Sequence, residues 1–229
     1  RKTNTDTASL EQVQGYTISE NTSDNLAQGA KPGFGTSVAV TEDGTYVVAG
    51  APNASNAKEQ VNDQKGPRFI EAKLGANASN RINQGIIKVT KLNTAIGEYE
   101  PEYVLVSQVP TANELFGQQV LVSNERIIAS APGADSKKGK LYIYDRQVQS
   151  DGSTVDWDIP TRQNEIVLPN AVAGDLFGQS MAGSKDLEFI VVGIPGREES
   201  EDLDSTLNSG GIAVYRWNGI EYELLQEIN

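Results

Sequence analysis

The chain has 229 residues, a length that suits one domain or at most two. Its 19 Lys and Arg against 31 Asp and Glu leave a net charge of −12, which repels phosphate backbones and anionic lipid surfaces, so neither nucleic acid nor a membrane surface is an expected partner. It contains no Cys and no His, which excludes disulfides, thiolate nucleophiles, Cys/His zinc sites and imidazole acid–base chemistry, while leaving the compartment open.

No stretch approaches the roughly 20 apolar residues that span a bilayer. The start, Arg1-Lys2-Thr3-Asn4, lacks an initiator Met and an apolar leader, so the chain is expected to be a processed or partial piece of something longer. Residues 1–33 form an N-terminal segment, in which Gly15-Tyr16-Thr17-Ile18 is the expected outer strand of a preceding sheet.

The first unit, 34–109, opens with Phe34-Gly35 and the strand Thr36–Val40. The turn Thr41-Glu42-Asp43-Gly44 follows, then the apolar run Tyr46–Ala51 that ends at Pro52. Two strands about a tight turn make a hairpin, and a continuous apolar run predicts a strand buried on both faces. An inserted loop, 53–83, follows; within it Arg68–Leu74 suits a short helix or a strand. The Gly-led strand Gly85–Thr90 and the more polar strand Tyr103–Ser107 complete the unit.

The second unit, 110–171, repeats the order: Phe116-Gly117, the strand to Val122, a Ser123-Asn124-Glu125 turn, Ile127–Ala131 ending at Pro132, Gly139–Tyr144, and Glu165–Leu168. The third, 172–229, does so again: Phe177-Gly178, a Gly183–Asp186 turn, Phe189–Ile194 ending at Pro195, Gly211–Trp217, and Tyr222–Leu225. Four antiparallel strands per unit, repeated in tandem, predict an all-β chain of β-propeller blades. Three blades are too few to close a ring, so further blades are expected from the same or a neighbouring chain.

Each residue type has a physical reason. Phe34, Phe116 and Phe177 can fill the wedge between adjacent blades. Gly35, Gly117 and Gly178 let the backbone turn beside the crowded axis, and Gly50 and Gly193 belong to the same blade-packing motif. Pro52, Pro132 and Pro195 end the second strands because Pro donates no ladder hydrogen bond. Tyr142, Tyr144, Tyr215 and Trp217, on the third strands, are expected to pack between blades, the alternative being a carbohydrate platform.

These motifs resemble the FG-GAP repeat of integrin-alpha propellers and of extracellular and viral surface proteins, on Phe34-Gly35 with Gly50-Ala51-Pro52, Phe116-Gly117 with Ser130-Ala131-Pro132, and Phe177-Gly178 with Gly193-Ile194-Pro195. Several integrin blades carry a calcium loop between their first two strands. The turns here are too short and too poor in carboxylates to supply 6–8 oxygens, so calcium is not carried over, and no cofactor is expected. Asp202 and Asp204, in the acidic run Glu198–Ser205, are weak candidates for a cation; that run otherwise reads as a solvated loop.

Trp157, between Asp156 and Asp158, is either an exposed contact residue or packed on its own blade. The loop 197–209, led by Arg197, and the insertion 53–83 are the candidate binding loops, expected at one end of the propeller. The Asn21, Asn53 and Asn77 triplets match the N-glycosylation pattern, which matters only along a eukaryotic secretory route. No phosphate loop, nucleophile elbow or carboxylate pair is present at interpretable spacing.

The resulting expectation is a non-enzymatic structural or interaction module of a larger extracellular or virion-surface assembly, such as a tailed-phage component, with protein partners. The alternatives are the propeller of a cell-surface adhesion receptor or adhesin, and a propeller appended to a hydrolase.

Overall fold

The computed structural model describes residues 33–55, 59–63, 66–70, 82–107, 109–148, 154–157, 164–198 and 210–228. Fifteen strands run through them. The first blade is built from β1 (Ser37–Val40), β2 (Tyr46–Ala51), β5 (Ile86–Asn93) and β6 (Glu98–Leu105), each antiparallel to the next. The insertion contributes a hairpin, β3 (Glu59–Asp63) with β4 (Gly66–Ile70), and β3 pairs with the outer side of β6. The blade is thereby widened to six strands. Pro67 lies on β4, the edge strand, where a missing N–H breaks no ladder.

The second blade comprises β7 (Val120–Val122), β8 (Arg126–Ala131), β9 (Lys140–Val148), β10 (Thr154–Trp157) and β11 (Asn164–Ile166). Here the outer position is shared: β10 pairs with the far half of β9, and β11 with its near half. The third blade is the plain four-stranded order of β12 (Met181–Gly183), β13 (Phe189–Ile194), β14 (Gly211–Trp217) and β15 (Tyr222–Ile228). The short helical segment Ala134–Lys137 is a turn with left-handed backbone at Asp135 and Ser136. These sheets are blades of a β-propeller.

Local chemistry closes the inner hairpins. In the first, Thr41 Oγ donates to Asp43 Oδ1 at 2.8 Å, and that carboxylate accepts the Thr45 N–H at 2.9 Å. The third repeats the device, with Ser184 donating to Asp186 at 2.6 Å and the Glu188 N–H at 3.0 Å. Both carboxyls are held below their usual range, chiefly by the backbone N–H of Thr45 for Asp43 and by the Ser184 hydroxyl for Asp186. The second strands end at Ala51, Ala131 and Ile194, each directly before its Pro.

Two cores lie between the blades. One joins Tyr46, Val48, Ile87, Val89 and Leu105 of the first blade to Phe116, Val120, Tyr142, Tyr144 and Trp157 of the second. The other joins Ile128, Leu141, Ile143 and Leu168 to Phe177, Ile190, Val192 and Tyr215. The central strand β8 is buried at all six positions, whereas β13 alternates, because only one of its faces meets another blade.

Candidate interaction surface

Successive blades meet through a repeated backbone join. The Phe116 N–H donates to the Gln84 carbonyl at 2.9 Å, and the Phe177 N–H to the Lys138 carbonyl at 3.1 Å. Gly85 and Gly139, with φ of +85° and +89°, lie against the backbone of the following Phe; a Cβ on either would collide with the carbonyl oxygen of Phe116 or Phe177. Leu115 and Leu176, just before each Phe, take left-handed backbone at φ 59° and 57° and donate to Asn83 and Lys137. Nothing in a Leu side chain announces that conformation.

The ladder registers make Gly85, Gly139 and Gly210 equivalent, so Gly210, rather than Gly211, holds this position in the third blade. Gly210 keeps the left-handed φ of +71°, but the atoms nearest an added Cβ belong to Pro195 and Ile194, at 3.6 Å or more. The glycine of the receiving half is in place there, and no following blade lies against it among the described residues.

The same contrast runs across the blade face. Ile87, Leu141 and Ile212 occupy one register position, as do Leu105, Ile166 and Ile228. In the first two blades these side chains are buried; Ile212 is 39% and Ile228 45% exposed. Phe189 stands where Tyr46 and Arg126 stand. Tyr46 meets Trp157 edge-on at 5.4 Å, and the Arg126 guanidinium lies 3.6 Å from the centre of the Trp217 ring. Phe189 is 41% exposed.

At the other end of the array, Phe34 does not fill a wedge. It is 40% exposed while Phe116 and Phe177 are fully buried, because their wedge is closed by the blade before them. Val38 and Val40 are exposed where Val120 and Val122 are buried. Gly35 shares the positive φ of Gly117 and Gly178, yet none of the described residues lies within 4 Å of its Cβ position. Both end faces therefore carry apolar surface, at positions that are core elsewhere in the same chain.

Two candidate contact residues lie in the interior. Trp157 is buried, packed on Tyr46 of the neighbouring blade, so it presents no binding surface. Arg197 is buried too. Its Nη1 donates to Asp175 Oδ2 at 2.8 Å and its Nε to Glu227 Oε1 at 2.8 Å, which closes an ion triad at the outer end of the third blade. A charged run following it in the sequence gave no sign of this. Asp202 and Asp204 lie outside the described residues, as does most of the insertion.

The carboxylate before Leu-Phe-Gly was missed by the sequence reading. Asp175 accepts the Val172 N–H at 2.8 Å, and Glu114 accepts the Thr111 N–H at 3.2 Å and its hydroxyl at 3.0 Å. Asp175 is balanced by Arg197. Glu114 is fully buried beside Tyr142 and Ser107, and burial holds its carboxyl above the usual range. Burial likewise pushes the Tyr142 and Tyr215 phenols upward. Among the described residues no group of three acidic side chains could hold a metal ion, and no helix is long and apolar enough to cross a membrane.

No family model and no curated protein matches the chain. Among solved structures, the periplasmic gluconolactonase PpgL of Pseudomonas aeruginosa is similar at 14% identity and a TM-score of 0.41, over 85% of this chain and 57% of that one. The chain thus spans under two thirds of the structure it matches. The expectation of a non-enzymatic chain is withdrawn on this finding. The similar structure is named as an enzyme.

Proposed function

We propose that this chain is a protein-interaction module of a larger extracellular or virion-surface assembly, as its resemblance to FG-GAP repeats implies. The observation that supports this most directly is the third-blade face. Its Ile212 and Ile228 occupy positions buried in both other blades, yet they stand 39% and 45% exposed. Burying such side chains is worth about 25 cal/mol per Å² of apolar surface, so a protein sheet of matching shape binds there favourably. The acidic composition suits partners other than nucleic acid and anionic lipid. The segment 199–209, offered by the sequence as a binding loop, lies outside the described residues.

Hydroxyl-radical footprinting of the protein purified from its source in native complexes tests this reading. Phe189, Ile212 and Ile228 are expected to be protected there and reactive after mild dissociation. Equal reactivity in both states would overturn it.

A further inference from the structure

The exposed faces of the first and third blades are two halves of one join, and we infer that a second copy of this chain supplies the missing half, head to tail. This rests on the interaction reading above and names the partner. The join occurs twice inside the chain, between Gly85 and Phe116 and between Gly139 and Phe177. A third instance of each half stands open: Gly210 with its positive φ and free Cβ space, and Phe34-Gly35 with φ +83° at Gly35 and a half-exposed ring. The side chains match as well. In the inner join, Ile87 and Leu141 approach Gly117 and Gly178 of the following blade. Ile212 would approach Gly35 of the second copy in the same way.

At the far end of the interface, the position of Tyr46, Arg126 and Phe189 meets the end of the next third strand. That end is Arg146 for Tyr46, whose guanidinium lies 5.1 Å from the ring centre, and Trp217 for Arg126. The equivalent of Arg146 and Trp217 in the first blade is Leu92, which is half-buried and apolar, a fit for the Phe189 ring. Val38 and Val40, on the inner strand β1, take the places of Val120 and Val122 on β7. The contact is heterologous, since one surface meets a different one. Two copies related by a twofold axis form both joins at once and give six blades, within the four to eight of closed propellers.

Light scattering coupled to size-exclusion chromatography of the full chain tests this, with Ile212→Lys and Val38→Lys as variants. The parent is expected at twice the 24.6 kDa chain mass. Each variant alone is expected to run as a monomer with the parent's circular dichroism. Mixing the two restores pairing, because one join in the mixed pair keeps both native halves. Pairing that Ile212→Lys abolishes and Val38→Lys leaves intact would mean a face-to-face contact and would overturn the head-to-tail join. A parent that stays monomeric at high concentration would overturn the second copy as occupant. In that case footprint protection of Ile212 in native complexes still upholds the interaction reading with a different partner, including a blade of longer chain, whereas its absence ends both.

Discussion

The backbone carbonyl of Phe116 occupies the space a Cβ on Gly85 would need, and Phe177 stands to Gly139 in the same way. This pairing converts a sequence repeat into a geometry: each blade is indexed against the next through a residue that has no side chain.

Gly85→Ala and Gly139→Ala are therefore expected to cost far more than Gly210→Ala. All three place Ala in left-handed backbone, at about 1–2 kcal/mol. The first two add a collision with main chain that cannot rotate away, while the third meets ordinary van der Waals distances. Urea titration of the isolated subunit checks the order, and three equal losses would contradict it.

Truncating the wedge aromatics gives a parallel expectation. Phe116→Ala and Phe177→Ala each remove a fully buried ring and are expected to cost about 3–5 kcal/mol. Phe34→Ala should scarcely change the subunit's unfolding midpoint while weakening association between copies, since its ring is half in solvent.

Arg197 neutralises a wholly buried carboxylate. Arg197→Met leaves Asp175 charged and unpaired, at an expected cost of about 3–5 kcal/mol. Adding Asp175→Asn is expected to recover a large part of that loss, because the desolvated charge is gone. Chemical denaturation of the single and double variants measures both steps; no recovery in the double variant would show that Arg197 acts by packing alone.

Glu114 sets the sign of a pH effect. Its folded carboxyl titrates above the unfolded value, chiefly through burial, so between the two values the folded chain binds more protons. That contribution to stability is full below the unfolded value and falls as pH rises through the folded one. Glu114→Gln keeps an acceptor for Thr111 and removes the titration. The variant is expected to match the parent near pH 4 and to melt higher than the parent at neutral pH. A gap that does not change with pH would contradict this.

Much of the architecture was legible because propeller blades write it twice, as apolar second strands and as Phe-Gly pairs at their starts. The apolar runs Val47–Ala51, Ile127–Ala131 and Ile190–Ile194 could be recognised without any partner in view, although the last is buried on one face only. Other features depend on tertiary register. Arg68–Leu74 could be read as a short helix or a strand until its first residues, 68–70, were seen in β4, paired with β3, which itself pairs with β6. Trp157 between aspartates could be read as a contact residue or as packed on its own blade; a bulge in β10 sits between Val155 and Trp157, and the ring packs on Tyr46 of the neighbouring blade. Arg197 followed a strand end and preceded acidic residues, which hid its two buried partners. Phe34 shared the motif of Phe116 and Phe177 without their surroundings, since a wedge residue is defined by the blade before it.

The chain's lack of Cys makes disulfide trapping a direct test of the head-to-tail join. Gly117 and Ile87 lie close enough across the inner join for their equivalents, Gly35 and Ile212, to be bridged between copies. Mixing Gly35→Cys with Ile212→Cys under mild oxidation is predicted to give a covalent pair of chains on non-reducing gels, with far less from either variant alone. Equal crosslinking by each variant alone, or none on mixing, would contradict it.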